Sequence, residues 1–474
     1  MQPDETTPEN ESAPPEAKAP SPLRSAGALH KAMVASSSME CGGNNAALAD
    51  LALGPVPEDL PSSERVEEPE LPEGWRFIPF TETICHKTAR AVKVQQSNYR
   101  KSGRFPIIDQ GQEFIAGYWD SEDDVYREHL PVIVFGDHTR VFKFVDFPFV
   151  AGADGTHVLV PDTNRFDPFF LYLALSSLDI QSRGYNRHFR LLKERSIVTP
   201  PLPEQRAIAA VLQTVQGAKE ACEQVLAATR QLKQSLLHHL FSYGPVSFAD
   251  AAHVPLKATE IGEVPESWRP TTLGQVADVG YGVQAAVAHL TDSSKGIPIL
   301  TNVNITRGGA IDLTTLRYYE LAEAKRDRFT LRKGDVLFNW RSGSQEHVGK
   351  TALFMLDGEY THSSFILRMR CSEAIRPQFL AKYLHWLRSR RYFARTRQQS
   401  SVNSVFNKSL SETIPVLLPS LETQDEIAAQ LSAVDAKLAA EETRRAALAA
   451  LFQSLLHHLM TGTVRLPEFA KARP

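Results

Sequence analysis

Cysteine is scarce: Cys41, Cys85, Cys222 and Cys371 are the only four in 474 residues, and they form no CxxC pair. That spacing excludes a disulfide framework and a cysteine-rich metal site, and it fits a reducing cytoplasm. Long apolar runs are missing as well. No stretch reaches the roughly 18 residues of a membrane span, and no basic start leads into an apolar core with a cleavage site. A soluble, intracellular chain with no membrane partner is expected. The signatures of chemistry are also missing. There is no GxxxxGK[ST] loop to cradle nucleotide phosphates, no HExxH and no GxSxG. No Asn/Asp-Pro-Pro-aromatic loop or glycine-rich methyl-donor site appears, and there is no convincing PD…(D/E)xK pattern. The chain is expected to bind and hold, with no catalytic residue, metal or cofactor of its own.

Excess charge of one sign is small over most of the chain but marked at its start. Residues 1–70 hold 13 Asp or Glu against 4 Lys or Arg, so the remainder carries a net +6 although the whole is at -3. The first 70 residues are rich in Pro, Glu, Ala and Ser and cannot offset ordering entropy by burial, so a disordered acidic extension is expected. The mild positive balance that follows is compatible with a nucleic-acid partner.

An internal repeat organises the rest. Leu202-Pro203-Glu204-Gln205 returns as Leu421-Glu422-Thr423-Gln424, and QSLLHHL at 234–240 recurs unchanged at 453–459, both at an offset of 219 residues. Pro72-Glu73-Gly74-Trp75-Arg76 resembles Pro265-Glu266-Ser267-Trp268-Arg269. The expected order is an extension (1–70), a first domain (71–200), a helix (201–244), a linker (245–263), a second domain (264–417), a second helix (418–462) and a tail (463–474).

Apolar residues in the repeated segments step mostly by three, four or seven, the spacing of one helical stripe. In the first copy the stripe includes Ile208, Leu212, Val215, Leu236 and Leu240; in the second, Ile427, Leu431, Val434, Leu455 and Leu459. Gln205 and Gln424 open the two segments and are expected, with the stripes, at the coiled-coil or partner-binding surface. Each helix of about 36 residues would extend about 54 Å. Such stripes can pair as an antiparallel coiled coil or bury against their own domains. His238-His239 and His457-His458 point about 100° apart on a helix, a poor arrangement for one shared ion.

The domains mix strand-like runs such as LPVIVFGDH (130–138) and KGDVLFNW (333–340) with amphipathic segments such as PQFLAKYLHWLRSRRYF (377–393), the pattern of a mixed α/β or α+β class. Basic clusters precede both long helices: Arg183, Asn186, Arg187 and Arg190 in the first copy, and Arg390, Arg391, Arg395, Arg397 and Asn403 in the second. Strand-end loops add His138 and Arg140, then Asn339, Arg341 and Gln345. Guanidinium groups bind phosphates and fork onto guanine, and Asn or Gln can fork onto adenine, so these are candidate DNA contacts. A solvated helix face or a plain turn is the competing reading.

Taken together, PPLPEQ at 200–205, LPSLETQ at 418–424, the two helices ending in QSLLHHL, the starts at Trp75 and Trp268, and GDVLFNWRSG resemble the specificity subunits of type I restriction-modification systems. The resemblance covers residues 71–462. It implies two target-recognition domains, each reading half of a bipartite site in double-stranded DNA, joined by helices that set the gap. It further implies two methylation subunits bringing S-adenosylmethionine chemistry, and two restriction subunits bringing ATP and Mg. A specificity protein of another methylase-based defence system, or a two-domain protein-interaction scaffold, are the alternatives. The acidic extension is long for the family, and Glu422-Thr423 departs from Pro203-Glu204.

Overall fold

The computed structural model describes residues 71–85, 91–181, 187–284, 290, 296–342, 347–396, 398–399 and 404–470. The acidic extension lies outside them. The chain divides into two compact units, one continuous (225–442) and one formed by the residues up to 224 together with those from 443 onward. Among the described residues no helix is long and apolar enough to cross a membrane.

The first unit opens with strand β1 (Arg76–Pro79), followed by β2 (Phe105–Ile108), β3 (Gly117–Trp119), β4 (Val125–Tyr126), β5 (Val132–Gly136), β6 (Phe142–Val145), β7 (Phe149–Ala151) and β8 (Thr156–Leu159). Helices α1 (Pro168–Ser176) and α2 (Phe189–Lys193) precede β9 (Ser196–Thr199). The continuous run VIVFG of β5 is buried on both faces, as suits the middle strand of the antiparallel sheet β6-β5-β8. A second sheet, β3-β2-β7-β4, contains the parallel pair β2/β7. Asp167 starts α1 by accepting hydrogen bonds from the Phe169 and Phe170 amides, with Pro168 at the first helical position. Seven consecutive residues of α1, Phe169 to Leu175, are buried and anchor the core.

In sequence order a long helix, α3 (Leu202–Tyr243), comes next, then β10 (Leu256–Thr259) and β11 (Gly262–Pro265). These two strands pair antiparallel, so the segment expected as a plain linker contains one strand of a hairpin and the start of its second. The second domain continues with β12 (Arg269–Thr272), α4 (Leu273–Val276), β13 (Ala277–Tyr281), β14 (Ile297–Leu300), β15 (Arg317–Tyr319) and α5 (Arg326–Phe329). It proceeds through β16 (Val336–Asn339), β17 (Arg341–Ser342), β18 (Thr351–Leu353), β19 (Thr361–His362) and β20 (Ile366–Cys371). Helices α6 (Pro377–Ser389) and α7 (Tyr392–Thr396), strands β21 (Gln398–Gln399) and β22 (Ser404–Val405), helix α8 (Lys408–Glu412) and strand β23 (Pro415–Leu418) lead to the second long helix, α9 (Leu421–Thr461).

The two domains share a plan despite little shared sequence. The outer pair β1/β9 has its counterpart in β12/β23, the parallel pair β2/β7 in β14/β19, and the central antiparallel strands β5/β8 in β16/β20. The offset of 219 already holds upstream of the long helices, since it carries α2 onto α8 and β9 onto β23.

Helices α3 and α9 have 42 and 41 residues, several more than the stripe alone suggested. Gly244 and Gly462 end them with positive φ, a conformation that glycine adopts without a Cβ penalty. Ile208, Leu212 and Leu459 are buried in the first unit's core with Phe452, while Leu240, Ile427 and Leu431 are buried in the second unit's core. Val215 and Leu455 pack against the first core and Leu236 against the second, each partly buried. Val434 is half-buried. Within the first unit Glu204 meets Arg465 and Lys219 lies 4.8 Å from the Phe452 ring; within the second, Arg230 bonds Glu442 at 2.9 Å and Lys233 bonds Asp435 at 2.5 Å. In each unit rising numbers on one helix meet falling numbers on the other, so the paired segments run antiparallel. The stripes thus bury against the domains as well as between helices.

Gln205 and Gln424 are corrected from helix-pairing residues to domain clamps. The Gln205 side chain accepts from the Asp167 amide at 3.0 Å and donates to the carbonyls of Arg165 (3.1 Å) and Pro200 (2.9 Å). Gln424 repeats the pattern, accepting from the Arg376 amide at 2.8 Å and donating to Ala374 and Pro419, both at 3.1 Å. Each glutamine ties the start of a long helix to the residue capping α1 or α6.

Candidate DNA-reading loops

Backbone hydrogen bonds identify equivalent positions in the two domains. The Gly136 amide donates to Val141 at 2.9 Å and the Asn339 amide to Lys350 at 2.8 Å, each closing the turn after its central strand. The next residue reaches across in both cases, Asp137 N to Gly155 O at 2.8 Å and Trp340 N to Phe365 O at 3.3 Å. The carbonyls of Asp137 and Trp340 then accept from His188 N (3.1 Å) and Phe406 N (2.8 Å), just ahead of α2 and α8. His138 and Arg341, both expected DNA contacts, therefore occupy matching places, and Gly155 matches Phe365.

The turn in the first domain is held by polar groups. Gln110 donates its side-chain amide to Asp154 O at 2.9 Å and accepts from the His138 amide at 3.2 Å, while Thr139 Oγ1 donates to the Gln110 carbonyl. Lys143, buried beneath, donates to the Glu113 carbonyl at 2.6 Å and so fixes the loop after β2. Burial lowers its pKa to about 8, with the carboxylate of Asp109 opposing the shift. The Asp137 carboxylate is buried, accepting from the Phe189 amide at 2.7 Å and lying 3.5 Å from His157. Arg140 is exposed, adopts a left-handed φ of 62° and donates to the Ile180 carbonyl at 2.7 Å.

In the second domain the matching turn is aromatic. Trp340 donates its indole N–H to Ser364 O at 2.6 Å and meets Tyr281 edge-on at 5.3 Å. Tyr281 accepts from the Lys408 amide at 3.1 Å. The guanidinium of Arg341 lies over the Phe365 ring, 5.5 Å from its centroid. Lys350 donates to the carbonyls of Asn302 (2.6 Å) and Ile305 (2.5 Å), so a buried lysine pins the loop after β14 as Lys143 pins the one after β2.

Asn339 is corrected: its side chain is fully buried and donates to the His347 carbonyl at 2.8 Å, which keeps it from touching a base. Arg187 and Arg190 are exposed, and Arg190 makes a surface ion pair with Glu194 at 3.5 Å, of small energetic weight. Arg390 stacks over Trp386 at 5.2 Å and borders Gly262 of the β10/β11 hairpin, so its ring contact serves packing. Arg391, with φ 61°, and Arg395 on α7 are exposed. Arg183, Asn186, Gln345, Arg397 and Asn403 lie outside the described residues.

Sequence reasoning missed Gln110, Tyr281 and Phe365. Phe365 lies at the start of an apolar run, SFILRMR, yet it sits in the turn before β20 and is 42 % exposed. The doubled histidines also have packing roles: His239 bonds the Val246 carbonyl at 2.8 Å and stacks near Phe248, and His457 and His458 meet ring to ring at 5.2 Å.

The family model for the type I restriction modification DNA specificity domain matches residues 265–450. The EcoKI specificity subunit of Escherichia coli (strain K12) is 24% identical over 399 residues, covering 76% of this chain and 81% of that protein. The putative MjaX specificity subunit of Methanocaldococcus jannaschii is 21% identical over 322 residues, covering 65% and 71%. The crystal structure of a type I restriction-modification S subunit from M. genitalium superposes with a TM-score of 0.57 at 18% identity, covering 81% of this chain and 96% of that one. The chain is thus similar to type I restriction-modification specificity subunits in its matched domain, in sequence over most of its length and in fold.

Proposed function

We propose that the chain is the DNA-recognition subunit of a type I restriction-modification complex, with each domain reading one half of a bipartite site. One observation carries this reading. The two domains present matched turns at the ends of their central strands, but the matched positions hold different chemistry, His138 and Gly155 in one, Arg341 and Phe365 in the other. A shared scaffold with divergent tips suits two unlike half-sites, because base edges are distinguished by the groups presented to them while phosphate contacts serve mainly to position.

In this reading α3 and α9 act as an antiparallel coiled-coil spacer that fixes the unread gap. Two methylation subunits and two restriction subunits would dock on the assembly. S-adenosylmethionine, ATP and Mg would belong to those partners, leaving this chain non-catalytic and without a cofactor. Exposed Arg187, Arg190, Arg391 and Arg395 would meet phosphates, making affinity steeply salt-dependent.

The test is single-molecule sequencing of N6-methyladenine in DNA from cells expressing this chain with the methylation subunit encoded beside it. A new bipartite motif with a constant gap is expected. Absence of any new motif from cells containing the assembled complex overturns the reading in favour of a protein-interaction scaffold.

A further inference from the structure

Resting on that DNA-reading function, the geometry points to Phe365 and Arg341 as one recognition element of the second domain, taking a thymine C5-methyl group on the phenyl ring and the neighbouring guanine on the guanidinium. Phe365 is a large apolar side chain on a two-residue turn, 42 % exposed, and Tyr281 beside Trp340 is 40 % exposed. An exposed phenyl ring at a strand end contributes little to the core and can meet an outside partner. The Arg341 side chain makes no hydrogen bond or ion pair among the described residues, its Nε is shielded from solvent without a partner, and its guanidinium rests on the Phe365 ring. Stacking against the ring fixes the guanidinium plane at small entropic cost and leaves the two terminal nitrogens as the usable fork, the geometry that matches guanine O6 and N7.

The same stacking decides what the phenyl ring does. A side chain that wedges between bases needs both ring faces for the bases it separates. Arg341 covers one face of Phe365, so the remaining face and edge suit an apolar group presented in the major groove, and the thymine methyl is the one that a base pair offers there. The first domain lacks the element altogether. Gly155 stands where Phe365 does, with a φ of 90° and no room for a Cβ against the Gln110 amide, and His138 stands where Arg341 does. At these matched positions, apolar readout thus belongs to the second domain's half-site.

The experiment compares methylated motifs from cells carrying the complete complex with wild-type chain, Phe365→Ala, Arg341→Ala or His138→Ala. Phe365→Ala should lose roughly tenfold preference for a thymine in one half-site, and Arg341→Ala a similar preference for the adjacent guanine. The other half-site and the gap should stay unchanged in both; His138→Ala should leave this thymine and guanine untouched. In binding assays with the purified complex, replacing that thymine by uracil should weaken wild type roughly fourfold, the worth of about one buried methyl, and leave Phe365→Ala unaffected. An unchanged motif from Phe365→Ala with a wild-type thermal midpoint overturns the inference while leaving the DNA-reading function standing. A wild-type chain that yields no bipartite motif removes both. If Phe365→Ala fails to assemble, Phe365→Leu with the uracil duplex decides, since leucine should keep part of the methyl discrimination and its complete indifference to uracil sinks the idea.

Discussion

A glutamine side chain carries one carbonyl acceptor and two N–H donors, and burying it is costly unless those groups find partners. Gln205 and Gln424 are buried and bonded three times each, to the amide of the residue capping α1 or α6, to the carbonyl two residues before that cap and to the proline carbonyl five residues upstream. Replacing either by alanine strands a buried amide and two carbonyls. We expect Gln205→Ala and Gln424→Ala each to lower stability by about 1–3 kcal/mol, measured by urea unfolding. Glutamate should recover none of the loss at neutral pH, because its second oxygen would face two carbonyl oxygens and its buried charge would be uncompensated. A loss below about 0.5 kcal/mol for both alanine variants, the usual range for surface substitutions, would remove the clamp role. The repeat made these glutamines conspicuous in the sequence, but their helical position suggested pairing between helices. Their partners lie about 40 to 50 residues away in the chain, at separations that no periodicity reports. Asn339 misled for a related reason. A strand-end asparagine before Trp-Arg-Ser-Gly looks like a loop residue, and only the cross-strand bond to His347 shows that it faces inward.

At the scale of elements, the long helices were legible because a stripe over ten turns and a gap-free duplication leave few alternatives. The strands were legible as apolar runs, but their pairing was not. Most have two to five residues, and the parallel pairs β2/β7 and β14/β19 join segments more than 40 residues apart. The duplication also exposes a weak point in α3. Gly217 is an exposed glycine inside the helix, with nothing within 4 Å of where a Cβ would stand. Its repeat partner at the offset of 219 is Ala436. Glycine in a helix interior costs roughly 0.5–1 kcal/mol relative to alanine, chiefly through the freedom of the unfolded chain. Gly217→Ala should therefore raise the unfolding free energy by about that amount without altering any methylated motif. A destabilised variant would mean that α3 bends or packs differently around this residue.

At the scale of the whole chain, the two units are built differently from sequence. The second is continuous over 225–442, whereas the first needs residues from 443 onward to complete its core. Phe452, Leu459 and Met460 are buried in that core, and Arg465 forks onto the buried Glu204 carboxylate at 2.9 and 2.6 Å while Trp75 donates to it at 3.1 Å. The second copy has Thr423 at this place, bonded to Ser420, and so carries no buried charge there, which explains where its opening motif departs from the first. Removing a partner from a buried ion pair costs about 3–5 kcal/mol, comparable with much of a domain's net stability. A fragment of residues 225–442 should therefore unfold cooperatively on its own, followed by tryptophan fluorescence of Trp268, Trp340 and Trp386. A fragment of 71–224 should not, and adding 443–474 as a separate peptide should restore its transition. If 71–224 folds unaided with full cooperativity, the C-terminal segment only decorates the first unit, and the loss of Arg465 would cost no more than a surface pair.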